Sequence, residues 1–389
     1  MFSLNESAKH DRTIFIKKGL VNRRSFLWGT SLLALAELIG GCDTPTDFRV
    51  ELLNGSVPVQ LVNRFRRQHP QRPGLNFVPK FNLEDLYQQL QAEAISNSAL
   101  LVMIGDYWLS AAIREELIEP LNPEDLSHWQ QLPQNWQNLV RRNQNGELSD
   151  SPEGNIWGAP YRWGTTAIAY RVDKFEKLGW TPTDWEDLWR SECKGRISLL
   201  NQGREVIGLT LKKLGYSYNT PDLDLVPDLK AQLEQLHQNV RLYDSDNYLK
   251  PLILGDTWLA VGWSGDISPQ LQRQHNIAIA IPKSGTALWS DVWVKPKATS
   301  AANNPLVQAW IDFCWQPEIA TQMSLLTGAT SPIVWGMPRA DLPKDLRENP
   351  QLLPDTDILD RSEFLLPLTV ASMQQYQRLW QEIRSVVRS

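Results

Sequence analysis

Short apolar segments alternate with segments of helical period along most of this chain, from residue 48 onward. Residues 48–53 and 100–104 have the composition of buried strands, whereas 83–95 has the spacing of an amphipathic helix. A second series begins with a predicted strand over 165–171. This alternation predicts an α/β fold whose sheets are mostly parallel and flanked by helices.

The length of the chain predicts more than one core. Its 389 residues exceed what a single hydrophobic core usually organises, so we expect two core units. Residues 143–155 are rich in Asn, Gly, Ser and Pro, which is typical of a loop or a boundary between units.

Residues 1–41 have the pattern of an export signal rather than of a folded element. Basic residues, among them Arg23 and Arg24, precede an apolar run over 26–39, which is shorter than the roughly 20 residues of a membrane-spanning helix. A basic region followed by a short apolar run is the pattern of a secretory signal. The sequence Asn-Arg-Arg-Ser-Phe-Leu over 22–27 resembles a twin-arginine export signal.

The apolar run ends in Leu-Ile-Gly-Gly-Cys at residues 38–42, which resembles a bacterial lipobox. The two small residues give a signal peptidase access to the bond, and Cys42 would then carry the lipid. Several acyl chains would anchor the protein stably. We therefore expect a protein of the periplasm or cell surface, anchored to the lipid bilayer through lipidated Cys42. The alternative is a buried N-terminal helix with a chance cysteine.

Composition excludes several functional classes. A net charge of −5 gives no reason to expect a nucleic-acid partner, and three cysteines are too few for a disulfide framework. We expect Cys193 and Cys314 to be free and buried. The five histidines lack metal-ligand spacing, and the chain has no Gly-x-Ser-x-Gly, Walker A or Gly-x-Gly-x-x-Gly sequence. We therefore expect no metal, no cofactor and no catalytic activity.

Three segments together resemble one family. Residues 157–168, Trp-Gly-Ala-Pro-Tyr-Arg-Trp-Gly-Thr-Thr-Ala-Ile, resemble the segment that crosses between lobes in extracellular solute-binding proteins of ABC transporters, of the spermidine/putrescine-binding type. Residues 259–266 resemble the apolar strand ending in Trp of that family, and 282–291 resemble its return crossing. The resemblance extends over about 48–332.

The resemblance implies a two-lobed periplasmic-binding-protein fold of type II, with a ligand cleft between the lobes. It implies a first lobe of residues 47–158 plus 290–336, and a second lobe of 159–289 plus 337–389. It also implies a monomer that delivers a small polar solute, such as a polyamine, to an ABC permease in the membrane.

The resemblance also implies a set of ligand-binding residues. An organic cation in a dry cleft needs aromatic faces for its charge and carbon stem, and carboxylates for its ammonium ends. The positions that match the family's aromatic and acidic site residues are Tyr107, Trp163, Glu205, Trp263, Trp289 and Asp291. The alternative for the tryptophans is core packing, since the chain contains 17 of them.

Other residues leave the ligand open. Gln202 stands where the family has an acid, which removes one charge partner. Arg162 and Arg204 would favour an anion if they face the cleft, or would form salt bridges between the lobes. A scaffold that has lost its ligand, or a hydrolase using Glu205 and Asp291 as acid and base, are the alternative functions.

Overall fold

The computed structural model describes residues 48–70, 74–96, 99–149, 154–297 and 304–386. The predicted export signal over 1–41, with Arg23 and Arg24, and the predicted lipidation site Cys42 lie outside the described residues. Within the described ranges, none of the helices has the length and apolar character needed to cross a membrane.

Strands of the described residues join into one long sheet and a small separate pair. The strands are β1 (Phe48–Leu53), β2 (Leu75–Lys80), β3 (Leu101–Gly105), β4 (Ile118–Glu119), β5 (Arg141–Arg142), β6 (Asn155–Ile156), β7 (Ala159–Arg171), β8 (Ile197–Leu199), β9 (Val240–Tyr243), β10 (Leu259–Trp263), β11 (Ile277–Ala280), β12 (Ala287–Pro296) and β13 (Glu363–Phe364). The main path through the sheet is β2-β1-β3-β12-β7-β10-β8-β9.

The two ends of this path are parallel, and its middle is antiparallel. Strand β1 pairs in parallel with β2 and β3, and β8 pairs in parallel with β9 and β10. The long strands β7 and β12 pair antiparallel with each other. The sequence predicted only the second half of β7, over 165–171; the strand starts earlier because the crossing segment is itself paired with β12.

Helices cover the sheet between the strands. They are α1 (Val59–Gln68), α2 (Leu83–Ser96), α3 (Leu109–Arg114), α4 (Gln134–Val140), α5 (Val172–Leu178), α6 (Gly203–Lys213), α7 (Leu229–Asn239), α8 (Leu249–Leu254), α9 (Ser264–Arg273), α10 (Pro305–Trp315), α11 (Pro317–Thr327), α12 (Pro332–Gly336), α13 (Lys344–Arg347), α14 (Thr356–Leu359) and α15 (Val370–Ser385). The predicted α/β class is therefore confirmed.

Each end of the sheet has its own apolar core. Phe48, Phe65 and Trp310 pack in the first core, and Trp185 and Leu236 pack in the second. Strands β7 and β12 contribute side chains to both cores, so each of them connects one core with the other.

The chain returns to the second lobe later than residue 337, the boundary that the resemblance implied. Leu342, Leu346, Leu352 and Leu353 pack in the first core, because their apolar side chains cover α11 and its neighbours. The second core receives Tyr376 and Ile383 of α15. Cys193 and Cys314 are free and buried, as predicted.

Gly208 in α6 offers a test of packing in the second core. A Cβ atom at this position would lie 2.0 Å from Cδ1 of Tyr218, a fully buried ring. Alanine normally stabilises a helix interior by about 1 kcal/mol relative to glycine, but overpacking costs about 1–3 kcal/mol. We expect Gly208→Ala to lower the free energy of unfolding by about 1–2 kcal/mol in a urea titration. In a Tyr218→Ala background the same change should be neutral or stabilising; a stabilised Gly208→Ala single variant would contradict the packing described.

Candidate ligand-binding site

Five of the six residues predicted for the ligand site converge on the middle of the sheet. Tyr107 lies just after β3, Glu205 lies in the first turn of α6, and Trp263 is the last residue of β10. Trp289 and Asp291 lie on β12. In open α/β sheets, ligands bind outside the carboxyl ends of the strands, at the point where the strand order reverses.

The indole of Trp289 is fixed by the backbone of the crossing strand. Its Nε1 donates to the carbonyl oxygen of Thr165 at 3.2 Å. The ring lies flat on Gly164, where an added Cβ would come within 2.4 Å of the indole, and its far edge lies close to Gly265. Only glycine at position 164 therefore leaves room for this orientation of the ring.

Glu205 is a buried carboxyl group whose hydrogen-bond partner is neutral. Both of its side-chain oxygens accept from the hydroxyl of Thr166 at 3.1 Å. Burial raises its pKa to about 7, although hydrogen bonds from Thr166 and Trp263 and the charge of Arg204 oppose the shift. The site thus contains a carboxylate whose negative charge lacks a hydrogen-bonded cation.

Asp106 is a second buried carboxyl group of the site. It directly follows β3, and its Oδ1 accepts from the backbone N–H of Ser290 at 2.9 Å. Burial raises its pKa to about 7, against the effects of the Ser290 N–H and of the charge of Arg142.

Asp266, in the first turn of α9, is an acid that remains accessible to solvent. Its Oδ2 accepts from the hydroxyl of Tyr248 at 3.1 Å. Desolvation by the surrounding protein nevertheless raises its pKa, as expected for a carboxyl group in a recess. Tyr107 is also accessible, with 44% of its surface exposed. This group of side chains is therefore partly accessible to solvent, and we refer to it as the recess.

Sequence reasoning missed Asp106 and Asp266 as site residues. The available signal was their position, since each follows a strand whose carboxyl end faces the crossing. Asp266 also lies within the segment 259–266 on which the family resemblance depends.

Arg162 and Asp291 form an ion pair across the two crossing strands. They are directly opposite in the register of β7 and β12, and Nε of Arg162 donates to Oδ2 of Asp291 at 2.5 Å. The guanidinium carbon also lies 5.8 Å from the ring centroid of Trp289. Burial raises the pKa of Asp291, and the charge and hydrogen bond of Arg162 oppose this shift.

Arg204 makes its contacts elsewhere in the second core. It donates to Asn219 at 3.0 Å and to the backbone oxygen of Leu366 at 3.2 Å, and its guanidinium lies 4.9 Å from the ring centroid of Tyr376. Both arginines that the sequence suggested as anion ligands therefore have partners within the chain.

The structure does not bring Trp163 together with the other five residues. Successive side chains of a strand point to opposite faces, so Trp163 lies on the other side of β7 from Arg162. It is 1% exposed and packs against Trp136 and Trp335, with ring centroids 5.4 Å and 5.1 Å away. Its environment is that of an aromatic core cluster.

The chemistry of the recess favours positive charge. Three carboxyl groups are buried and a fourth is accessible, while one guanidinium is hydrogen-bonded to one of them. Two half-buried indoles, Trp263 and Trp289, lie among these acids. Within the described ranges, no group of His, Cys, Asp and Glu side chains is arranged to hold a metal ion. The arrangement therefore suits an organic cation.

Comparison with known proteins places these observations in a family. Residues 96–362 match the family model described as bacterial extracellular solute-binding protein. The spermidine/putrescine-binding periplasmic protein of Escherichia coli is 27% identical over 287 residues, which is 73% of this chain and 77% of that relative. The spermidine/putrescine-binding periplasmic protein 1 of Haemophilus influenzae is 25% identical over 302 residues, which is 78% of this chain and 79% of that relative.

Solved structures agree on the fold. The spermidine/putrescine ABC transporter substrate-binding protein PotD of Streptococcus pneumoniae superimposes with a TM-score of 0.73, at 22% identity, over 87% of this chain and 98% of that chain. A lipoprotein of Treponema pallidum superimposes with a TM-score of 0.67, at 18% identity, over 86% and 98% of the two chains. The predicted two-lobed fold is thus confirmed, and the chain belongs to the family of bacterial extracellular solute-binding proteins.

Proposed function

We propose that this protein is the extracytoplasmic substrate-binding component of an ABC importer and that it captures a small organic amine. The observation that carries the proposal is the excess of carboxyl groups over cations beside Trp263 and Trp289. Among the residues that the structure describes, Glu205 and Asp106 are buried without a hydrogen-bonded cation. An ammonium group would supply the missing positive charge, and an indole face would cover its carbon stem.

The relatives support the same class of ligand. Their names refer to spermidine and putrescine, which are aliphatic amines with ammonium ends. The departures of this chain, such as Gln202 in place of an acid, leave the fold and the main acidic positions intact. We therefore propose that the ligand is an aliphatic amine.

Capture requires movement between the two halves of the protein. Glu205 lies on the side of the second core and Asp106 on the side of the first, so one ligand touching both would stabilise a closed form. The crossing strands β7 and β12 are among the connections that must flex. The closed form would then dock on the permease.

The alternative functions have less support. An anionic ligand would face an excess of carboxyl groups, because the charge of Arg162 is already balanced by Asp291. Arg204 makes its contacts elsewhere, in the second core. A hydrolase would need Asp291 beside a leaving group or a water molecule, but it faces Arg162. A scaffold that has lost its ligand predicts that no amine binds, which the following measurements decide.

We further propose that residues 1–41 direct export, through Arg23 and Arg24, and that lipidated Cys42 anchors the mature protein. The order of basic residues, apolar run, small pair and cysteine supports this proposal. The Treponema pallidum structure of the same fold is described as a lipoprotein.

Glu205→Gln tests the acid of the second half. The variant keeps the shape and the hydrogen bond to Thr166 but removes the negative charge that would face the ammonium. Because loss of one partner of a desolvated charge pair costs about 2–5 kcal/mol, we expect the affinity to fall at least thirtyfold. A screen of amines first identifies the one that most raises the melting temperature of the wild type. Titration calorimetry with that amine then measures the affinity of the variant. Glu382→Gln, on the exposed face of α15, is the matched control; equal affinities of both variants and the wild type would refute the role of Glu205.

Binding should also depend on pH. The pKa values of Glu205 and Asp106 are raised to about 7, and only the ionised carboxylates attract an ammonium group. Since aliphatic amines remain protonated throughout this range, we expect affinity to increase from pH 5.5 to pH 8 and protons to be released on binding near pH 7. Calorimetry in two buffers of different ionisation enthalpy measures the release. An affinity that is constant over this range, or proton uptake, would contradict the account.

The same pKa shifts determine how the stability of the unliganded protein changes with pH. A carboxyl group whose pKa is higher in the folded state binds protons more tightly there than when unfolded. The stability that these two groups contribute is therefore present at low pH and is lost as the pH rises from about 4 towards 7. A bound amine should reduce this loss.

Cys42→Ser tests the anchor. We expect the variant to leave the membrane fraction or to accumulate as an unprocessed precursor, because it lacks the thiol that carries the lipid. Cys193→Ser, at a buried position of the second core, should remain in the membrane fraction. Mass spectrometry that finds unmodified Cys42 in membrane-purified wild type would rule out lipidation.

A further inference from the structure

Arg162 holds a position in the recess that a bound cation would otherwise take. Its guanidinium is hydrogen-bonded to Asp291 and lies within 6 Å of the Trp289 ring centroid. A carboxylate together with an aromatic ring within this distance is the environment that stabilises an ammonium group. The protein thus supplies one cation from its own chain.

In the described part of the chain, the remaining acids of the recess have no hydrogen-bonded cation. Glu205 accepts from the hydroxyl of Thr166, Asp266 from that of Tyr248, and Asp106 from a backbone N–H. Trp263 lies close enough to Glu205 for its side chain to oppose the rise in the pKa of that carboxyl group. The unfilled cation position is therefore at the Glu205 and Trp263 end of the recess.

A ligand would gain little by displacing Arg162. Exchanging one cation on Asp291 for another leaves the charge balance unchanged, while the displaced guanidinium must find a new partner. Arg162 is also 8% exposed and is fixed by the register of two strands. Ordering a second ammonium there would cost side-chain and ligand entropy without a compensating gain.

We infer that Arg162 is a specificity-determining residue and that the ligand carries a single ammonium group, at the Glu205 end, with a neutral polar group facing Arg162. This inference rests on the proposed function as an amine-binding protein. An ammonium group at both ends of the ligand would place the second one beside the guanidinium, where like charges repel. Within the described residues, the side chain of Arg162 hydrogen-bonds only through its Nε, so its terminal nitrogens can donate to a hydroxyl group.

Two probes that differ only at one end test the inference on the wild-type protein. Putrescine has an ammonium group at both ends of a four-carbon chain, and 4-aminobutanol has a hydroxyl group at one of them. We expect 4-aminobutanol to bind at least as tightly as putrescine in titration calorimetry at pH 7.5. Putrescine binding tenfold or more tightly than 4-aminobutanol would overturn the inference without any variant.

Arg162→Met tests the role of the side chain itself. Removing the guanidinium leaves Asp291 free for a second ammonium group. The ratio of the affinity for putrescine to that for 4-aminobutanol should therefore be at least tenfold higher in the variant than in the wild type. The control is Arg162→Met combined with Asp291→Asn, which removes both charges, leaves no unpaired carboxylate and should lose this gain. If the single variant is too unstable to purify, the affinity ratio is compared between the wild type and the double variant. The double variant should be the more stable of the two, because a buried unpaired charge is more costly than a missing pair.

The outcomes separate this inference from the proposed function. If both amines bind and their affinity ratio is the same in the wild type and Arg162→Met, the inference is wrong and amine capture stands. If neither amine raises the melting temperature of folded wild type or of the variants, amine capture itself fails.

Discussion

The ion pair between Arg162 and Asp291 connects the two strands on which the whole arrangement depends. Both strands contribute to the first core at one end and to the second core at the other. The pair lies where they pass between the cores, and it neutralises one acid of the recess. Because burying a charge without a partner is costly, this cross-strand contact also makes the crowding of acids at the crossing tolerable.

The other acids of the recess are the groups whose charge a ligand would balance. Burial raises the pKa of Glu205 and of Asp106 to about 7, which means that the folded protein disfavours their charged forms. A cation that enters the recess relieves this desolvation cost at both positions. In the proposed function, binding, proton release and closure of the two halves would all follow from this electrostatic imbalance.

Much of the fold could be predicted because it depends on local patterns. The apolar strand at 48–53 and the helix at 83–95 have the composition and period of buried elements, and the structure differs from them by no more than a residue at the ends. The composition of 107–118 also predicts a helix, but the α-helix found there is limited to Leu109–Arg114, since Glu116 adopts a left-handed conformation with φ 54°.

The site was less predictable because it depends on pairing between distant strands. The contact of Arg162 with Asp291 joins residues 129 positions apart, and only the register of β7 and β12 reveals it. The same register places Trp163 on the opposite face, where it packs in an aromatic cluster. Asp106 and Asp266 look like ordinary helix-start acids in the sequence, and their significance appears only when the strand ends meet.

A crystal structure with a bound amine tests the central claim most directly. The account predicts the ammonium nitrogen within hydrogen-bond distance of the Glu205 carboxylate, with Nε of Arg162 still bonded to Asp291. An ammonium group on Asp291, with the guanidinium of Arg162 displaced from Trp289, would contradict it.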